Sequence, residues 1–147
     1  MLSAALATGG ALGLDAGSVR VGLAAADATG TLASPVAVLD AGRPDEMWGR
    51  VIAEAKARDS RVLVVGLPLQ MSGVEGPAAE RARKLAGEAR ERTGLRVELW
   101  DERLSSVEAE RALIGLGTRR RERRKRVDAV AAAITLQAWL DSRGRRR

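Results

Sequence analysis

Four acids stand apart from the other carboxylates of this chain by where they fall. Asp15 follows the apolar run Ala11 to Leu14 and precedes the turn residues Gly17 and Ser18. Asp101 and Glu102 come directly after the strand-like run Val97 to Trp100. Asp128 has Ala131, Ala132 and Thr135 as helical neighbours, small side chains that allow close approach to a sheet. The chain has no His and no Cys, which removes imidazole bases, thiolate nucleophiles, Ser-His-Asp triads and nearly every zinc site. Catalysis here must use carboxylates, hydroxyls, Lys or a metal held by oxygen. Crowded carboxylates raise one another's pKa unless something positive neutralises them. Oxygen ligands without nitrogen or sulfur select Mg²⁺ or Mn²⁺, and two such ions about 4 Å apart activate water and stabilise the leaving oxygen of a phosphodiester. Each acid also has a plain structural reading: an Asx turn at Asp15, a strand terminator at Asp101-Glu102, and, at Asp128, which is expected in the first turn of the last helix, a charge favoured by the helix dipole.

The charge distribution points to the same chemistry. Thr118 to Arg126 holds seven basic residues and one acid, and Arg143 to Arg147 adds four more basic residues. Together these segments carry +10 in a chain of net charge +6, so the remainder sums to −4. A basic cluster of this density attracts phosphate backbones and makes affinity fall with salt, which marks Arg119, Arg120, Arg121, Arg123, Arg124, Lys125 and Arg126 as candidates for nucleic-acid contact. With Trp48, Trp100 and Trp139 as its only aromatic rings, the chain lacks the means for serial base stacking. Recognition should rest on charge.

The elements that must position the acids follow from apolar periodicity. Ala11 to Leu14 and Val19 to Ala26 read as a hairpin, and Thr31 to Leu39 as a third strand whose Pro35 argues for a sheet edge. From Pro44 the period becomes helical, with Trp48, Val51, Ile52 and Ala55 on one face. Arg61 to Gly66 is a continuous β-branched run of the kind buried on both faces in a parallel sheet. The loop Gly66 to Pro77 is glycine-rich but has no Gly-Lys-Ser/Thr sequence, and Glu75 within it either caps the turn, the favoured reading, or reaches toward a metal site. A helix from Pro77 to Gly94, a fifth strand at Val97 to Trp100, a capping-box helix from Ser105 to Gly117, and a last helix carrying Val127, Val130, Ala131, Ile134 and Ala138 complete the order βββαβαβαα. The expectation is an α/β fold, a mixed sheet with helices on its faces. It occupies residues 11–142 as one domain, with 1–10 an N-terminal extension and 143–147 a basic tail. No apolar run is long enough to span a bilayer and no export signal is legible, so a cytoplasmic location without membrane contact is expected.

Four blocks, Gly13 to Asp27, Val64 to Ala82, Leu99 to Leu113 and Lys125 to Asp141, resemble in order the signature blocks of the YqgF/RuvX family. These are RNase H-like proteins described as pre-16S rRNA processing nucleases and as Holliday junction resolvases. The resemblance implies a five-stranded mixed sheet, strands one to three antiparallel and strands four and five parallel to the first, with helices on both faces and a metal-dependent nuclease centre. It matches Asp15 to the strand-one acid, Asp101 or Glu102 to the acid after strand five, and Asp128 to the acid of the last helix. Strand alternation would put Asp101 and Glu102 on opposite faces, so one of the two should touch metal. Arg103, Lys125 and Arg126 match basic positions of the family and are expected to hold phosphates, and Arg20 remains as a cation near Asp15. Ala16 and Val19 stand where the family often has Pro and Lys, and Gln70 and Ser72 replace a frequent Asn and Asp, so strand four ends without an acid.

The implied function is a nuclease using Mg²⁺ or Mn²⁺, acting on pre-16S rRNA in ribosome biogenesis, with RNA favoured and branched DNA possible as substrate, as a monomer or homodimer. Its rivals are a junction resolvase, a non-catalytic RNA-binding assembly module, and an actin-like phosphotransferase. The last is disfavoured because 147 residues supply only one of the two domains that such proteins close around a nucleotide.

Overall fold

The computed structural model describes residues 10–104 and 120–144, with 120–126 and 144 given by backbone alone. Strands β1 (Ala11–Ala16), β2 (Arg20–Ala26) and β3 (Ala33–Asp40) lead into helix α1 (Pro44–Ala57). Strand β4 (Val62–Leu67), helix α2 (Pro77–Thr93), strand β5 (Arg96–Asp101), a 3₁₀ turn (Glu102–Leu104) and helix α3 (Arg120–Gly144) follow. The sheet order is β3-β2-β1-β4-β5. β1, β2 and β3 pair antiparallel in sequence, while β4 runs parallel to β1 and β5 parallel to β4. This is the five-stranded mixed sheet anticipated above, with Pro35 on the edge strand beside a register shift at Leu23/Ala24.

The hairpins close by side-chain chemistry as well as by glycine. In the β2–β3 turn the Asp27 carboxylate accepts bonds from the backbone N–H groups of Thr31 and Leu32 and from the Thr29 hydroxyl. These donors, Thr31 first, hold its pKa below the ordinary carboxylate value. Gly30 completes the turn at φ +69°, a conformation that costs a glycine nothing. At the end of α2, Gly94 adopts the left-handed conformation and donates to the Arg90 carbonyl, ending the helix where the sequence places its stop.

The two faces of the sheet are built from different side chains. One is thick: Leu12, Leu14, Leu23, Leu63, Val65 and Leu67 pack against Trp48 and Val51 of α1 and Leu85, Ala86 and Ala89 of α2. The other is thin: Ala24, Ala26 and Val64 meet Ala132, Ala133, Leu136 and Trp139 of α3. Small residues on the sheet let α3 lie almost on its backbone, since a Cβ on Gly13 would come 2.9 Å from the Ala132 carbonyl oxygen. Gln137 fastens the same helix to the edge, its Oε1 accepting from the Ala33 N–H (2.9 Å) and its Nε2 donating to the Thr31 carbonyl (2.9 Å).

One boundary differs from the sequence reading. The basic stretch was expected to precede the last helix, but α3 begins at Arg120 and takes most of it in. Arg, Lys and Glu are good helix formers and neither Gly nor Pro interrupts the segment, so helix already anchored by packing from Ala129 onward propagates back through it. Asp128 therefore lies more than two turns inside the helix, where the macrodipole that falls off within the first turn gives it no support. The helix expected over 105–117 lies outside the described residues.

Candidate active site

The site is organised by one row across the sheet. Asp15 is paired with Gly22 of β2, and the β1–β4 ladder, which pairs Leu14 with Val65, brings Gly66 alongside Asp15 one step further on. Asp15 is therefore an acid with a glycine on either side. Alternation puts its side chain on the α3 face, the face of Gly13, and it is 2 % exposed.

Each flanking glycine makes room for another acid. A Cβ on Gly22 would lie 1.9 Å from the carbonyl oxygen of Asp128, and one on Gly17 would lie 3.4 Å from the Asp128 Oδ1. The backbone of α3 is thus seated on β2 at Asp128, with the carboxylate directed toward the turn that follows Asp15. On the other side, a Cβ on Gly66 would lie 2.6 Å from the Glu102 Oε1 and 3.2 Å from the Thr135 Oγ1. Glu102 is 9 % exposed and sits over β4 under α3. With strands roughly 4.8 Å apart, Asp128 and Glu102 approach Asp15 from opposite neighbours. Among the described residues these acids are not closed into a ready-made three-ligand cage.

Asp101 is placed differently. It is aligned with Leu67 and, by alternation, shares the face of Leu99, which packs on the thick core. Its carboxylate accepts from the Arg103 backbone N–H (2.9 Å) and from the guanidinium Nη2 (2.7 Å). The guanidinium holds the Asp101 pKa below the ordinary carboxylate value, against the opposing effect of burial. Of the two acids after strand five, it is Glu102 that the structure brings to the side of Asp15 and Asp128.

The expected phosphate contacts divide likewise. Arg20 is half-buried on the Gly22 face of β2 and makes no ion pair among the described residues. Arg103 is committed to Asp101 and donates from Nη1 to the Met71 carbonyl (3.4 Å), tying the end of β5 to the β4–α2 loop. Arg120, Arg121, Arg123, Arg124, Lys125 and Arg126 lie on the opening turns of α3, and Arg119 lies outside the described residues. Glu75 is turned to the following helix, where it accepts from both Nε and Nη2 of Arg83.

The sequence reading missed the glycines. Gly13, Gly22 and Gly66 interrupt apolar strand runs, and an isolated glycine in a strand signals close approach by another backbone or a ligand. It also used Thr135 only as a small neighbour of Asp128, although its hydroxyl is fully buried and makes no hydrogen bond among the described residues.

A 3-2-1-4-5 sheet in which β2 alone runs antiparallel to the other strands, with α1 and α2 on one face and α3 on the other, is an RNase H-like fold. Solved structures share this fold: Thermus thermophilus RuvC matches at TM-score 0.53 with 18 % identity, and T. thermophilus RuvC in complex with Holliday junction substrate at TM-score 0.55 with 16 % identity, the latter covering 91 % of this chain and 94 % of that one. Residues 9–142 match the family model described as "RuvX: Holliday junction resolvase", and the chain belongs to that family. Curated relatives named "Putative pre-16S rRNA nuclease" include one from Anaeromyxobacter dehalogenans (strain 2CP-C), 49 % identical over 135 residues with 90 % of this chain and 96 % of the relative covered. Another, from Pelotomaculum thermopropionicum, is 41 % identical over 137 residues with 92 % and 89 % covered. No helix among the described residues is long and apolar enough to cross a membrane.

Proposed function

We propose that this protein is a divalent-metal-dependent nuclease acting on pre-16S rRNA, with Asp15, Glu102 and Asp128 as its metal ligands. The observation that carries this reading is the row Gly22–Asp15–Gly66, where two glycines admit one further acid on each side of a buried one. The donor set fits the cation: carboxylates and a hydroxyl with no imidazole or thiolate favour Mg²⁺ or Mn²⁺. When bound, such a cation supplies activated water and charge stabilisation at the leaving oxygen. The central place of Asp15 between the other two is what a two-ion arrangement asks of a shared ligand. Arg20 on the same face and the basic turns that open α3 hold flanking phosphates, while Asp101 with Arg103 keeps the β5 end in place.

The relatives' names support precursor rRNA as the substrate; a cytoplasmic site of action and a single nuclease domain over 11–142 are parts of the same proposal. The family description favours a second reading, resolution of four-way DNA junctions. One experiment separates them: cleavage of labelled precursor rRNA and of a four-way junction, side by side, with Mn²⁺, Mg²⁺ or EDTA, for wild type and Asp15→Asn. Metal-dependent RNA cleavage lost in the variant is the expected result, and symmetric nicking of the junction alone would replace the first reading with the second. Binding of RNA with no cleavage of either substrate would leave a non-catalytic module.

A further inference from the structure

We infer that Thr135 is a positioning residue for Glu102: its hydroxyl, unpartnered among the described residues, borders the same space over Gly66 as the Glu102 carboxylate and is placed to donate to it when the cation is bound; this rests on the reading of Glu102 as a metal ligand. A threonine inside a helix ordinarily satisfies its hydroxyl on the carbonyl four residues back. Thr135 does not, although it is 0 % exposed and shut off from water. A buried hydroxyl without a partner opposes folding, so Val, of nearly the same shape, would serve packing better. The hydroxyl has one distinctive neighbour. Its Oγ1 and the Glu102 Oε1 both border the volume that a Cβ on Gly66 would fill, at 3.2 Å and 2.6 Å from it. Gly66 leaves this space open, and the carboxylate and the hydroxyl enter it from different elements.

Thr135 also stands seven residues after Asp128, on the same face of α3 two turns along. One helix thus presents an acid over β2 and a hydroxyl over β4, on either side of Asp15. A hydroxyl donating to a liganding carboxylate restricts its rotamers and orients its lone pairs, an outer contact whose removal typically weakens metal affinity about 10- to 100-fold.

The test is direct binding of Mn²⁺, followed by the electron-paramagnetic signal of the free ion, together with thermal unfolding of the full chain without metal. Thr135→Val should raise the Mn²⁺ Kd about 10-fold while its melting temperature stays equal or rises. Thr135→Ser, which restores the hydroxyl, should return the Kd close to wild type. A Thr135→Val protein that binds Mn²⁺ like wild type, or a Thr135→Ser protein as impaired as the Val variant, overturns the inference. Glu102→Gln separates this from failure of the underlying reading. If it loses Mn²⁺ while Thr135→Val does not, the ligand assignment stands and the role of Thr135 falls. If wild type binds no Mn²⁺, or Glu102→Gln binds it as wild type does, both fall.

Discussion

Gly22 makes the most exacting test of how this site is held. Its missing Cβ would point into the main chain of α3, 1.9 Å from the Asp128 carbonyl oxygen and 2.8 Å from the Ala129 nitrogen. Ordinary contact begins near 3.4 Å, so Gly22→Ala must separate strand and helix by about 1 Å or more, and backbone on both sides leaves no flexible tip to absorb the shift. Overpacking of this kind costs about 1–3 kcal/mol, which for a chain of this size lowers the melting temperature by roughly 3–12 °C. The displaced residue is Asp128 itself. A misplacement of about 1 Å in a catalytic constellation costs on the order of 100-fold in rate, so the variant should lose far more activity than its fraction unfolded explains. The assay is kcat for metal-dependent cleavage at a temperature where circular dichroism shows the variant fully folded. Gly49→Ala and Gly87→Ala are the controls: both lie in helices with nothing within 4 Å of the added Cβ, and each should stabilise by about 0.5–1 kcal/mol with cleavage unchanged. A Gly22→Ala protein that melts and cleaves like wild type would refute the reasoning.

Other outcomes follow from the same geometry. Glu102→Gln should abolish metal-dependent cleavage while Asp101→Asn retains it within a few-fold, because the Asp101 carboxylate is turned to Arg103; equal losses in the two would mean that the faces have been misassigned. The Asp101–Arg103 pair, partly exposed and so worth about 1 kcal/mol or less, has a defined pH signature. The depressed pKa of Asp101 means that its contribution is complete above the unfolded value of about 3.9 and is lost as pH falls through the lower folded value. Denaturant midpoints of wild type and Asp101→Asn should therefore differ by a constant amount from pH 5 to 8 and converge in strong acid. Replacing Arg123 and Arg124 by Ala should reduce the slope of log affinity against log salt for single-stranded RNA by about 0.7 per phosphate contact removed, checked by binding titrations at several salt concentrations.

Much of this molecule is written locally. The β-branched run before Gly66, Pro44 and Pro77 at helix starts, Gly94 at a helix end and Pro35 on an edge strand are signals a few residues long, and each element forms where its signal lies. The lack of His and Cys limits the chemistry to oxygen ligands, and the acids at Asp15, Asp101-Glu102 and Asp128 can be picked out by their places at the ends of apolar runs or beside small residues. The start of α3 was less legible, because good helix formers preceding an amphipathic stripe carry no stop signal and packing further along decides how far back the helix runs. Which acid after β5 turns to the site depends on where the strand ends and on the grip of Arg103, and both are settled by neighbours distant in sequence. The approach of Asp128 to Asp15 through Gly22, and of Glu102 and Thr135 over Gly66, likewise belongs to the tertiary structure. A glycine in a strand announces only that something comes close; what comes close is chosen by register and by the path of a helix more than a hundred residues away.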